Sequence, residues 1–443
     1  MLISLCMGVL VASAWAAAIN SPSSANPLNF LFPSNQSHEA RPFSISVTEK
    51  FIWETAQRAR LYRPSIALEE PQQPNWDDGP PPAKINELAE YWAHSYDWFK
   101  IQDQINANFS HYIITVPSSD KYPHPLPLHF IHEHANGPPN AAIPLLILHG
   151  WPSTSLEWSN VIHPLANPSE TNAPRFHVVA PDLPGFGFSP AATHAGLGPR
   201  AMGQAFDSLM HQLGYPTYAL SSTDLGWEVA MWMVHDFPAS VVAHATDFFM
   251  PPPNVTDLAR FAANQTTAEE SDWILSLQAF QTDNSGYSLV HGTRPLALAL
   301  AMTDSPVGFA GWVLQLLGMA SDGYKYTLEE IITMSITLWI QGTYGNLRTY
   351  KEFTKPGAMD FPTTSVPTGV SQWANPDGEY PNMKRFPIAP RDWIERTANV
   401  TYFSRHEFGG HFPARSQPQL WLQDVRAFFS GLPGLSLRLT GDG

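Results

Sequence analysis

The chain has 443 residues, of which 44% are hydrophobic and 14% are charged. This length and apolar content suffice for one large hydrophobic core with accessory segments. The net charge of −15 argues against binding to nucleic acid or to anionic membrane surfaces, since both repel a negatively charged protein. Cys6 is the single cysteine, so the chain cannot build a framework of disulfides.

The N-terminal segment, residues 1–18, is apolar and has alanine at positions 14, 16 and 18, which is typical of a cleaved signal peptide. Residues 19–40 are rich in Ser, Pro and Asn and are expected to be a linker. We therefore expect a secreted glycoprotein, with an uncleaved membrane anchor as the alternative. The glycosylation sequons begin at Asn35, Asn108, Asn254, Asn264 and Asn399.

The remaining chain divides into three regions by pattern. Residues 41–110 have helical periodicity, with helices predicted at 48–62 and 85–99. Short apolar strands alternate with helices over 111–249 and again over 351–435, which predicts an α/β core with a mostly parallel sheet. Residues 250–350 are helical throughout and interrupt this core, so they are predicted to form an inserted lid.

A carboxylate occupies a turn between a strand and a helix. Residues 217–222 are expected to form a buried strand, and residues 226–235 a helix. Between them, Asp224 lies two residues after Ser222 and two before Gly226. A nucleophile flanked by small residues at such a turn is typical of the elbow of α/β-hydrolases. A carboxylate nucleophile attacks carbon to give an ester, which favours epoxide opening or halide displacement over ester or peptide cleavage.

Two further motifs follow predicted strands and complete this pattern. The strand at 143–148 leads into His-Gly-Trp-Pro at 149–152, a turn that supplies one N–H of an oxyanion hole. We assign this N–H to Trp151 and the second to Leu225, the residue after the nucleophile. The strand at 399–406 leads into Gly-Gly-His-Phe, in which His411 occupies the position of the general base. The glycines of this turn interrupt the spacing of a metal-binding helix, so no metal site is expected.

With these motifs, the chain from about residue 41 to 429 resembles an epoxide hydrolase of the microsomal type, including that family's N-terminal region. The resemblance rests also on DLPGFGFS at 182–189 and VPTGV at 366–370. It implies an α/β-hydrolase fold with a helical lid and an N-terminal helical region that wraps the core. It also makes an anchor in the endoplasmic reticulum membrane the alternative to secretion. The oligomeric state is left open.

The resemblance also implies a mechanism that needs neither a cofactor nor a metal. Tyr287 and Tyr350 match two lid tyrosines that hydrogen-bond the oxygen of a small, apolar epoxide. Asp224 then opens the ring to form an ester, and His411 activates the water that releases a vicinal diol. Without the family, both tyrosines are ordinary lid-packing residues.

The acid that should hold the histidine is the least defined member of the site. In relatives an Asp or Glu follows the VPTG strand, and here Asp377 is the first candidate and Glu379 the second. A third possibility is that no acid from this loop holds His411. That possibility leaves open an enzyme that cyclises or isomerises an epoxide without net hydrolysis. A non-catalytic binding protein on the same fold is a further alternative.

Overall fold

The structure is a computed structural model that describes residues 28–33, 37–66, 76–137, 142–170, 172–386 and 388–432. The predicted signal peptide, most of the predicted linker and the sequon at Asn35 lie outside the described residues. The other four sequon asparagines are all exposed, and their glycosylation stays a prediction. Within the described ranges, no single helix has the length and apolarity to cross a membrane. Two consecutive helices, Pro295–Asp304 and Pro306–Ala320, have that length and apolarity only when taken together, and the chain bends sharply between them.

The described residues form one nine-stranded sheet with the order β1-β2-β3-β5-β4-β6-β7-β8-β9. The strands from β4 onward pair in parallel, and β1, β2 and β3 add an antiparallel edge next to β5. The strands are β1 Arg41–Pro42, β2 His111–Val116, β3 Leu126–Glu133, β4 Ile143–Leu148, β5 Phe176–Pro181, β6 Tyr218–Ser222, β7 Val241–Thr246, β8 Pro367–Trp373 and β9 Asn399–His406.

The central strands are apolar along their whole length because helices cover both faces of the sheet. Every residue of β5, β6 and β7 is buried. Between the strands, the chain returns through helices, as parallel pairing requires. The helices of the core and of the N-terminal region are α1 Glu49–Arg60, α2 Pro82–His94, α3 Trp98–Asn108, α4 Ile162–Ala166, α5 Pro199–Gln212 and α6 Asp224–Asp236.

A helical insertion separates β7 from β8. Capping boxes at Asn254, Thr267 and Thr327 start three of its helices by satisfying backbone N–H groups at their first turns. Its helices are α7 Val255–Ala262, α8 Ala268–Ala279, α9 Gly286–Thr293, α10 Pro295–Asp304, α11 Pro306–Ala320, α12 Leu328–Trp339 and α13 Tyr344–Phe353. The chain then completes the core with α14 Arg391–Ile394, α15 Pro413–Ser416 and α16 Pro418–Ser430.

The N-terminal region packs against this insertion. Phe51 of α1 contacts Trp339 of α12 with ring centroids 5.2 Å apart. The Trp76 ring lies so close to Gly318 of α11 that a Cβ there would come within 2.6 Å of it. The expected α/β-hydrolase fold with a helical lid and an N-terminal wrapping region is therefore confirmed.

Candidate active site

The turn after β6 brings the Asp224 carboxylate above the sheet. Asp224 has a φ of 47°, a left-handed conformation that is uncommon for a residue with a side chain. Two glycines make room for the turn. A Cβ on Gly226 would lie 2.5 Å from the Leu148 carbonyl oxygen, and one on Gly150 would lie 2.1 Å from Asp224 Oδ1. The strained, crowded geometry is that of a nucleophile elbow.

One backbone donor of the expected oxyanion hole contacts the Asp224 carboxylate. The Trp151 N–H donates to Asp224 Oδ1 at 2.8 Å. Leu225, the other expected donor, is buried and lines the same cavity. The side chain of His149 holds the turn: its Nε2 accepts from the Leu183 N–H at 3.0 Å, so the proton lies on Nδ1 and is donated to the Gly150 carbonyl at 2.9 Å.

The turn after β9 brings His411 to the other carboxylate oxygen. His411 Nε2 lies 3.3 Å from Asp224 Oδ2. The Phe248 ring packs edge-on against the imidazole with centroids 5.2 Å apart. The lid fixes the turn itself, because the His411 N–H donates to the Ala320 carbonyl at 2.7 Å and the Gly409 N–H donates to Asp322 Oδ2 at 2.6 Å.

The pKa of His411 reflects several opposing effects. Burial alone would lower this pKa, but the hydrogen bond with Asp224 and the charge of Asp224 raise it above its ordinary value. Glu157 and Asp247 raise it further. His411 therefore lies among carboxyl groups, and Asp224 above all favours its imidazolium form.

The two lid tyrosines meet above Asp224. Tyr287 comes from α9 and Tyr350 from α13, and their ring centroids lie 5.8 Å apart. The Tyr287 ring also stacks on Trp151 at 5.7 Å. Burial raises the pKa of each phenol, as do the charge of Asp224 and that of Glu228. Both side chains are therefore protonated at neutral pH and can donate hydrogen bonds.

A cavity of about 190 Å³ joins these groups. Asp224, Tyr287, Tyr350 and His411 all line it. Most of the rest of its wall is apolar and comes from Leu225, Trp227, Phe248, Met250, Phe280, Leu316, Met319, Phe353, Met359, Met383, Phe386 and Phe412. Such a wall suits a small apolar ligand whose polar atom meets the few polar groups.

The structure does not bring the two sequence-predicted acids to the histidine. Asp377 and Glu379 are exposed, and the carboxylates that raise the pKa of His411 are others. The buried side chain at the end of β8 is the Asn375 amide, which donates to the Met319 carbonyl at 2.7 Å and accepts from the Asp322 N–H at 2.5 Å. These contacts with the lid turn the chain outward, so the residues after Asn375 reach the surface.

Two buried carboxyl groups near the histidine escaped the sequence analysis. Glu157 is 3% exposed and Asp247 is 8% exposed. Asp247 directly follows the apolar strand β7, and such a position at a strand's carboxyl end was the available signal. Glu157 lies in a short helical turn after the His-Gly-Trp-Pro motif and had no comparable signal. Across the described ranges, no cluster of His, Cys, Asp and Glu could hold a metal ion.

The fold and the elbow define an α/β-hydrolase-fold protein, and known proteins share its N-terminal region as well as its fold. Residues 40–158 match the family described as the epoxide hydrolase N terminus, and residues 143–285 match the α/β hydrolase fold. The expected resemblance to epoxide hydrolases of the microsomal type, a family of enzymes, is therefore confirmed.

Individual relatives resemble the chain over most of its length. It is 27% identical to juvenile hormone epoxide hydrolase of Manduca sexta over 89% of this chain and 87% of that protein. It is 26% identical to epoxide hydrolase 1 of Sus scrofa over 88% of each. The crystal structure of juvenile hormone epoxide hydrolase from Bombyx mori matches in fold with a TM-score of 0.77, at 23% identity over 89% of this chain and 95% of that one.

Proposed function

We propose that this protein hydrolyses small apolar epoxides to vicinal diols through a covalent ester on Asp224. One observation carries the proposal: a carboxylate occupies the elbow turn, and it lines an apolar cavity together with two buried tyrosines. Relatives named as epoxide hydrolases support the substrate class.

Ring opening needs an acid and a nucleophile on opposite sides of the substrate. Tyr287 and Tyr350 donate hydrogen bonds to the epoxide oxygen, and a phenol can protonate the much more basic alkoxide as it forms. Asp224 attacks a ring carbon with one carboxylate oxygen, and the carbon–oxygen bond of the ring breaks. The product of this step is a hydroxyalkyl ester of Asp224.

Ester formation prepares His411 for the second step. The negative charge of Asp224 is one of the effects that raise the pKa of His411, and the ester removes that charge. His411 then releases its proton, which restores the phenol that protonated the alkoxide. The neutral imidazole then takes a proton from water as the water attacks the ester carbonyl. The N–H groups of Trp151 and Leu225 hold the oxyanion. The acyl–oxygen bond then breaks, and the departing alkoxide takes the proton of the new Asp224 carboxylic acid. The diol leaves, Asp224 is regenerated as a carboxylate with one oxygen from water, and His411 is again the imidazolium.

The atom balance gives a direct test. In a single turnover in heavy-oxygen water with excess enzyme, the new diol oxygen comes from the carboxylate, so the diol should be unlabelled. Mass spectrometry of the peptide containing Asp224 should then show one heavy oxygen. Repeated turnovers, in which label reaches the diol from the exchanged carboxylate, provide the matched control. Labelled diol in the first turnover would mean direct attack by water and would refute the ester.

A further inference from the structure

We propose that Asp247, at the end of β7, is the acid that positions His411, in place of an acid after β8. This inference rests on the proposed ester mechanism and names a further residue of the same site. Asp247 acts through the histidine and does not touch the substrate, so its role is positioning.

The place of Asp247 in the sheet puts it beside the reacting groups. Strand β7 lies between β6, which carries the nucleophile, and β8. Ser222 of β6 pairs with Thr246 of β7, so Asp247 is level with Thr223, the residue before the nucleophile. The next residue, Phe248, packs its ring on the His411 imidazole. The backbone therefore places Asp247 directly before the residue that contacts the histidine.

The Asp247 side chain is held in a buried, oriented position. Its Oδ2 accepts a hydrogen bond of 2.7 Å from the Trp421 indole N–H. Trp421 packs on Trp158 with ring centroids 5.7 Å apart, and this contact brings the neighbouring Glu157 into the same cluster. A carboxylate fixed in this way is preorganised to face one partner.

Among the described residues, three carboxyl groups raise the pKa of His411: Asp224, Glu157 and Asp247. Asp224 is the nucleophile and loses its charge in the ester. Asp424 lines the same small gap as Asp247. Its Oδ2 lies 2.7 Å from His406 Nε2, so Asp424 is paired with a different histidine. During ester hydrolysis the histidine must therefore rely on Glu157 or Asp247 for a stabilising charge.

The balance between these two acids favours Asp247 as the charged one. Burial, and then the charge of Asp247, raise the pKa of Glu157 to about 8. Burial also raises the pKa of Asp247, but only to about 6, because hydrogen bonding and His411 oppose it. At a pH between about 6 and about 8, the pair carries one proton, on Glu157, and one negative charge, on Asp247. That charge stabilises the imidazolium formed when His411 deprotonates water.

The buried side chain that follows β8 is an amide, Asn375, which is consistent with this assignment. Asn375 carries no charge. Its Nδ2 donates to the Met319 carbonyl and its Oδ1 accepts from the Asp322 N–H, so both polar atoms of the amide bind the lid. Asp377 is exposed further along the same loop. The acid function thus lies on the strand next to the nucleophile's strand, one strand earlier than the sequence analysis expected.

The test is single-turnover kinetics with styrene oxide, with the ester followed by intact-protein mass after rapid quenching. In Asp247→Asn, ester formation should stay within about threefold, and ester hydrolysis should slow by about 10²- to 10⁴-fold. Asp360→Asn, a change at an exposed aspartate, is the control. Glu157→Gln should slow hydrolysis much less than Asp247→Asn does.

The pH profile separates positioning from a structural role. Ester hydrolysis should fall as pH decreases through the pKa of His411, and the charge of Asp247 raises that pKa. Asp247→Asn should therefore move this acidic limb to lower pH. Trp421→Phe removes the hydrogen bond that favours ionised Asp247, so it should move the limb in the same direction but by less than Asp247→Asn does. A purely structural defect would lower the rate without moving the acidic limb in either variant.

The outcomes distinguish this inference from the proposed function. If the wild-type protein forms no ester, the proposed function is wrong. If the ester forms but Asp247→Asn hydrolyses it at the wild-type rate, only this inference is wrong. Stronger trapping by Asp377→Asn or Glu157→Gln would also overturn it. If Asp247→Asn does not fold, Trp421→Phe decides, and an unshifted acidic limb in that variant refutes the inference.

Discussion

Replacing Glu157 with glutamine is expected to stabilise the protein at pH 8 and to have little effect at pH 5. The Glu157 side chain is 3% exposed, and its pKa is raised from 4.5 to about 8, first by burial and then by Asp247. The unfolded chain releases this proton near pH 4.5, whereas the folded protein keeps it until about pH 8. The folded state is therefore favoured below pH 4.5, and this advantage is lost as pH rises towards 8.

The size of the effect follows from the two pKa values. At about 1.36 kcal/mol for each tenfold change, the full penalty at pH 8 is about 4 to 5 kcal/mol, and at pH 5 it is below about 1 kcal/mol. Glutamine keeps the shape of the protonated acid and carries no proton to lose. With an unfolding entropy of about 2.1 cal/mol/K per residue, the remaining gain of about 4 kcal/mol corresponds to a Tm increase of roughly 4 °C.

The assay is a pair of thermal unfolding scans at pH 5 and pH 8, at equal ionic strength and scan rate. Glu379→Gln is the matched control because that glutamate is exposed, and it should leave Tm unchanged at both pH values. An equal difference in Tm between Glu157→Gln and wild type at pH 5 and pH 8 would refute the reasoning. Such a result would mean that Glu157 is ionised in the folded protein.

Two further changes probe the reacting groups. Gly150→Ala would place a Cβ 2.1 Å from Asp224 Oδ1, so the carboxylate must move, and the rate of ester formation should fall by at least about 10²-fold; a burst of ester at the wild-type rate would contradict this. Tyr350→Phe and Tyr287→Phe each remove one donor to the epoxide oxygen, and each should slow ester formation by about 10²- to 10⁴-fold while leaving the hydrolysis of preformed ester nearly unchanged. Slower hydrolysis with normal ring opening would assign the tyrosines a different role.

The order of motifs along the chain was enough to predict the fold class and the turn that carries Asp224. A strand, a turn and a helix are local features, so Asp224 and its small neighbours define the elbow without reference to distant residues. The same applies to Trp151 and His411, because each lies in a short turn that follows a strand. Parallel strands present their carboxyl ends at one edge of the sheet, which brings these turns together.

The acid partner of the histidine depended on contacts that the sequence does not display. Asn375 is bound to two lid backbone groups, and this pairing directs Asp377 to the surface. Whether a carboxyl group is buried, and which groups share its burial, follows from packing between segments distant in the chain.

The sequence by itself therefore determined the strand-and-turn framework, the elbow carboxylate and the histidine turn, since local patterns encode them. Only the tertiary structure decided which acids surround His411. Glu157 and Asp247 are 90 residues apart in the chain. They interact electrostatically because Trp158 packs on Trp421, which in turn donates its N–H to Asp247. Desolvation and charge coupling in that shared interior set their pKa values, and neither effect exists until the chain is folded.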